Sequence, residues 1–126
     1  LQGYHLSQTE EAIDLTLVWQ AIDQTQTDYT RFVHLIDPVT GGSPLAQSDS
    51  QPRYGSYPTS QWVDGEVVED GLTLPLADVP PGSYQLAVGF YSQPSAEQFD
   101  RLGVVDENGE MLPDGRFVLP ITVVIE

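Results

Sequence analysis

The sequence predicts an all-β fold, an antiparallel two-sheet β-sandwich of about eight strands. Three observations lead there. Apolar residues recur at steps of two in several runs, which places them on one face of a strand. Turn residues interrupt the chain roughly every 8 to 12 residues, the spacing of sandwich strands. No stretch of about ten residues or more shows the 3.6-residue period and caps of a helix. Ig-like and jelly-roll strand orders are both open at this level.

The strands follow in order. Residues 3–6 are a short candidate. In 12–21, Ile13, Leu15, Leu17 and Trp19 share one face, while Asp14, Thr16 and Gln20 share the other with Val18. Residues 29–37 become apolar on both faces, as in a central strand covered on both sides. Residues 44–48, 67–76 and 98–105 are further candidates. In 83–92, Tyr84, Leu86, Val88 and Phe90 point one way. In 119–126, Leu119, Ile121, Val123 and Ile125 do the same, but Pro120 cannot donate to a ladder and demands a bulge or an outward-facing nitrogen. Turn signals stand at Asp37-Pro38, Gly41-Gly42, Asp64-Gly65, Asp70-Gly71, Pro80-Pro81-Gly82 and Asp114-Gly115, and Asn108-Gly109 reads as a tight hairpin. Tyr84, just after Pro81-Gly82, is placed to bond nearby backbone through its hydroxyl and lock a sandwich corner.

With 126 residues the chain is one domain, 1–126. It has 4 Arg, no Lys and 19 acidic residues, a formal net charge of −15, so a phosphate backbone is repelled and nucleic acid is not the expected partner. The absence of Cys removes disulfides, thiolate zinc sites and a Cys nucleophile. No apolar run approaches the ~18 residues of a membrane span, so this chain itself is not expected to insert in a membrane. It starts at Leu1 and its one Met is Met111, which suggests a fragment of a longer protein.

Candidate chemistry is sparse. His34 beside Asp37 or Asp49 could act as a base, but no serine or cysteine nucleophile motif accompanies it, and a His on a partly buried strand face is the simpler reading. His5 has no company. Paired carboxylates are expected by chance among so many acids, so no catalytic residue is assigned and the chain is not expected to be an enzyme. No cofactor is expected. Calcium is the one ion worth weighing, at Asp106-Glu107-Asn108-Gly109-Glu110 or at Asp64, Glu66, Glu69 and Asp70, against a hairpin and solvated charge respectively.

The longest non-periodic stretch, 50–64, is rich in Pro, Gly, Ser and aromatics. Tyr54, Tyr57 and Trp62 could stack on a sugar, with Arg53, Gln61 and Asp64 fixing its hydroxyls. The same composition fits a loop that folds back to cap the sandwich, and Pro58 and Trp62 read as anchors for that. A different class of function is a structural interaction or spacer module, whose surface would use Val18, Val33, Leu35 and Tyr91.

The motifs L-T-L-V-W-Q-A (15–21), D-Y-T-R-F-V-H-L-I-D (28–37), A-Q-S-D-S-Q-P (46–52), Y-P-T-S-Q-W (57–62), G-E-V-V-E-D (65–70) and P-P-G-S-Y-Q-L-A-V-G-F-Y (80–91) together resemble one known domain. It is an uncharacterised C-terminal domain of large bacterial membrane proteins, notably of Chloroflexi-like bacteria. Those proteins are similar to lipid-linked-sugar glycosyltransferases of the protein-mannosyltransferase type. The resemblance spans roughly residues 3–125, with 39–43 and 98–114 departing from the pattern. It implies a β-sandwich placed after transmembrane helices, on the extracytoplasmic face of the cell membrane. It implies no catalytic residue, since those belong to the membrane part. The expected function is a non-catalytic accessory domain, with a glycan or a protein as partner.

Overall fold

The computed structural model describes residues 1–95, 98–104, 110–112 and 115–126. Among them are nine strands and no α-helix: β1 (Gly3–Gln8), β2 (Ala12–Gln20), β3 (Thr30–Ile36), β4 (Ala46–Ser50), β5 (Val67–Pro75), β6 (Gly82–Ser95), β7 (Gln98–Arg101), β8 (Arg116–Val118) and β9 (Val123–Ile125). One sheet has the order β1-β2-β5. The other has the order β4-β3-β6-β7, with β8 and β9 also paired to β6. All pairings are antiparallel. Strands one, two and five facing strands three, six and those after it is the Ig-like arrangement, so of the two orders left open the jelly roll is set aside.

Register explains the core. Ile13 lies opposite Leu74, Leu15 opposite Leu72, and Trp19 opposite Val68. In the facing sheet Val33 pairs with Val88 and Leu35 with Leu86. All are buried, together with Phe90, Leu119 and Val123. Val33 and Leu35 are therefore core residues, not surface ones: their period-two partner is Arg31, and that whole face looks at the other sheet. Val18 and Tyr91 remain half-exposed on outer faces. The apolar character of the other face of β3 comes from Phe32, which is buried against Gly89 and beneath the Arg101 guanidinium, 4.4 Å from its ring centre.

Two expectations shift. Asp70-Gly71 is not a turn but the middle of β5, because Asp70 points into the sandwich. The C-terminal run breaks at Pro120, so that only Val123–Ile125 pairs with the start of β6, while β8 pairs further along it. The Asn108-Gly109 hairpin lies outside the described residues. The Tyr84 corner forms as expected: its hydroxyl donates to Pro80 O at 2.7 Å.

One ion pair crosses the core. Arg31 on β3 and Asp70 on β5 are both fully buried, and Arg31 Nε donates to Asp70 Oδ2 at 2.7 Å. Arg31 Nη1 also donates to Ser48 O at 2.8 Å, tying β4 to the pair. Charges taken out of water this way need every available partner, and the remaining carboxylate oxygen receives one from the loop between β4 and β5.

Candidate functional site

That loop, residues 51–66, has two arms. The first contains the tight turn Pro52–Gly55. Arg53 and Tyr54 both sit in the left-handed region, at φ of 53° and 54°. For residues with a Cβ this costs about 1–2 kcal/mol each. Three of the contacts that offset it run to β5. Arg53 N–H donates to Asp70 Oδ1 at 2.8 Å, Arg53 Nε donates to Glu69 O at 2.8 Å, and Thr73 N–H donates to the Tyr54 hydroxyl at 3.1 Å. The turn thus covers the open edge of β5, which would otherwise present unpaired backbone groups.

The second arm contains a 3-10 turn, Thr59–Gln61, followed by Trp62. Thr59 stitches it to the chain before β3: its hydroxyl donates to Thr27 O and accepts from Tyr29 N–H. Ser60 N–H donates to Asp28 Oδ1 at 3.1 Å. Trp62 is only 6% exposed and belongs to the core, edge-on to Phe90 at 5.9 Å, with its indole N–H donating to Tyr57 O at 3.0 Å. Tyr57 lies beside it, ring centres 6.5 Å apart. The Tyr57 hydroxyl sits 2.8 Å from both Glu66 oxygens, and Val63 N–H donates to Glu66 as well. These bonds, the backbone one foremost, hold the Glu66 carboxyl below its ordinary range. The same contact with Glu66 pushes the Tyr57 hydroxyl up.

The six predicted ligand residues therefore divide. Trp62 is a buried core anchor, and Tyr57 is occupied with Glu66. Arg53 is exposed but committed to the β5 edge. Gln61 is exposed, and its carbonyl receives the Tyr57 hydroxyl at 3.3 Å. Asp64 is exposed next to Gly65 (φ 81°), in a turn closed by Glu66 N–H donating to Val63 O. Tyr54 alone among the loop aromatics is strongly exposed, at 64%.

Tyr54 leaves the loop toward the outer face of the three-stranded sheet. There it lines a shallow cleft of about 430 Å³ with His5, Ser7, Asp14, Thr16, Gly71 and Thr73. The register explains the grouping. His5, Thr16 and Gly71 form one cross-strand row, and Ser7, Asp14 and Thr73 the next. Thr73 Oγ1 donates to Asp14 Oδ1 at 2.9 Å. Gly71 leaves a gap in the first row: a Cβ there would meet only Thr16 Oγ1, at 3.9 Å. An aromatic ring held at one end of a patch of hydroxyls, a carboxylate and an imidazole is what the loop composition alone could not show.

Elsewhere, His34 Nε2 lies 3.5 Å from Asp49 Oδ1, the Tyr91 hydroxyl donates to Asp49 Oδ2, and the His34 ring packs on Phe32 at 4.8 Å. Asp37 instead accepts Val39 N–H in its own turn. The acidic group Asp64, Glu66, Glu69 and Asp70 is dispersed, with Glu66 and Asp70 held by Tyr57 and Arg31. Among the described residues no three His, Cys, Asp or Glu converge on a metal-sized site. Asp106 to Gly109, the other calcium candidate, lies outside them. No helix among them is long and apolar enough to cross a membrane.

Compared with known proteins, the chain matches no family model, no curated protein and no solved structure.

Proposed function

We propose that this domain is a non-catalytic, extracytoplasmic accessory module of a membrane-anchored, glycosyltransferase-like bacterial protein, and that it holds a glycan on the outer face of its three-stranded sheet. The placement beside a membrane transferase is supported by the motif resemblance. The glycan reading is carried by Tyr54. A sugar presents an apolar C–H face and a ring of hydroxyls, so it needs one aromatic platform and a few fixed polar groups. Tyr54 supplies the platform, fixed at its hydroxyl by Thr73 N–H. His5, Ser7, Asp14, Thr16 and Thr73 supply the polar groups. Backbone strain concentrated at the residue that carries the platform fits a functional position better than a spacer. The formal charge of −15 and Asp14 in the cleft favour neutral or amino sugars over uronates and sulfated glycans.

The experiment is an NMR titration of the domain with a panel of soluble oligosaccharides, repeated on Gly71→Val. Valine suits a strand interior, and the Gly71 gap has room for its Cβ, so the fold should persist while the cleft is filled. Shifts on β1, β2 and β5 around Tyr54, lost in Gly71→Val, are expected. An unresponsive cleft across the panel would move the function to an interaction or spacer module. Binding that survives the substitution would place the site elsewhere.

A further inference from the structure

Among the described residues the sandwich has four sheet edges, and three of them are guarded. The edge of β5 lies under the turn Pro52–Gly55. β4 is five residues long, carries Asp49 and is bracketed by Pro44 and Pro52. The edge made by β7, β8 and β9 breaks between Arg101 and Arg116 and again around Pro120. β1 has none of these protections. Its six residues keep one register with β2 throughout and include no Pro, Lys, Arg, Asp or Glu. Among the described residues β1 pairs with β2 alone.

The register shows which backbone groups that edge offers. Thr9 N–H donates to Ala12 O at 2.9 Å, so Thr9 and Ala12 form a bonded pair. Bonded and unbonded pairs alternate along an antiparallel ladder. Ser7 with Asp14 and His5 with Thr16 are then bonded pairs as well, while Tyr4, Leu6 and Gln8 turn their N–H and C=O groups away from β2 to the open side. The row ends at a second feature. Gln8 also lines a cleft of about 700 Å³ with Thr9, Glu10, Val124, Ile125 and Glu126. The Gln8 side-chain amide donates to Val124 O at 3.0 Å, and its backbone stays on the edge. Glu10 and Glu126 are both exposed and make this mouth acidic, and no Arg lines it.

We propose that β1 takes up an extended segment of a partner protein as a fourth strand of the small sheet, antiparallel to β1, with Lys or Arg at its leading end. An antiparallel strand enters at Gln8 and leaves at Tyr4, so its first residues pass the cleft of Glu10 and Glu126. Main-chain bonds to Tyr4, Leu6 and Gln8 supply affinity for an extended chain, and the cleft selects a basic one. Alternating apolar and polar residues suit the segment, because Tyr4 and Leu6 are half-buried on the core side while His5 and Ser7 point outward. A second copy of this chain is a poorer occupant: each copy carries a charge of −15, and β1 brings no Lys or Arg to the cleft. The added strand uses the edge of β1 and leaves its outer face clear, so the proposal stands apart from the glycan reading.

The test uses two acetylated, amidated peptides, in which either two lysines or two glutamates precede alternating threonine and valine. The lysine peptide should bind the ¹⁵N-labelled domain about tenfold more tightly than its twin at low salt, and the gap should narrow as salt screens the charges. The double variant Glu10→Gln, Glu126→Gln should close most of that gap. Amide exchange should slow at Tyr4, Leu6 and Gln8 and much less at His5 and Ser7, whose N–H groups already serve β2. Leu6→Pro removes a donor that β2 does not use, so the sandwich should persist and the peptide should be lost. Unchanged exchange at Tyr4, Leu6 and Gln8 in the unsubstituted domain would overturn the proposal, whether or not the Leu6→Pro variant folds. Equal binding of the two peptides would also overturn it, as would a lysine preference untouched by the double variant. Slowing of the same amides as domain concentration rises without peptide would give the edge to a second copy and overturn it too.

Discussion

The two arms of the loop at 51–66 are built from the same kinds of residue and end in opposite places. Around Pro52–Gly55 the chain takes two left-handed residues, stays outside the sandwich and leaves Tyr54 in solvent. Around Thr59–Gln61 it takes a single 3-10 turn with ordinary dihedrals and drives Trp62 into the core. The first arm rests on a sheet edge, where backbone groups needed covering. The second rests on the open end between the sheets, where an apolar gap needed filling. Composition sets neither outcome; the nearest unsatisfied surface does. An aromatic over an edge can keep its ring in water, whereas an aromatic over a gap cannot.

The largest break in this comparison should come at Asp70, which holds both the core and the first arm. Asp70→Ala leaves Arg31 charged, buried and unpaired, and is expected to cost roughly 3–5 kcal/mol. Urea unfolding measures it. The double variant Arg31→Met, Asp70→Leu removes both charges and should recover most of that loss. It also removes the acceptor of Arg53 N–H, so the turn at Pro52–Gly55 should become mobile while the core holds. Fast amide exchange confined to that turn would separate the two roles of one carboxylate.

Trp62→Phe tests the second arm. Losing the bond to Tyr57 O and part of the ring volume should cost roughly 2 kcal/mol. Thermal unfolding would show it, with glycan binding at Tyr54 unchanged. A loss of binding without loss of stability would reverse the assignment of the two arms.

The Tyr57–Glu66 contact sets a smaller, pH-dependent effect on the same arm. The Glu66 carboxyl is held below its ordinary value of 4.5, so its contribution is complete above that value and disappears as pH falls through its lower folded value. The Tyr57 hydroxyl is raised above 10.0, so its contribution is complete below that and disappears as pH climbs further. Between these limits the arm is at its most stable. Glu66→Gln should flatten the acid side of the melting-temperature profile, and a profile identical to that of the unsubstituted domain would refute the contact.

Much of the fold was legible because period-two stripes carry their own evidence. Ile13 to Trp19 and Tyr84 to Phe90 point inward as their spacing requires, and Pro81-Gly82-Ser83-Tyr84 makes the corner its residues describe. The ion pair was not legible. Arg31 looks like an interruption in an apolar strand, and Asp70 before Gly71 looks like a turn. Only the apposition of two sheets, 39 residues apart in sequence, makes them partners. The site was legible in part. Pro58 and Trp62 read as anchors of a loop that folds back on the sandwich, and Trp62 is buried in the core, but nothing in the sequence marks Arg53 and Tyr54 as left-handed. That backbone choice alone separates the exposed tyrosine from the aromatics that serve the core.

The smallest expected effect on stability and the largest on binding belong to the same substitution, Tyr54→Ala. It removes an exposed ring and one bond to the β5 edge, so its melting temperature should stay close to that of the unsubstituted domain. The decisive measurement is therefore a glycan titration of Tyr54→Ala and Trp62→Phe side by side, with thermal unfolding of each. The account predicts binding lost with stability kept in the first, and stability reduced with binding kept in the second. Undiminished glycan binding by Tyr54→Ala would contradict it.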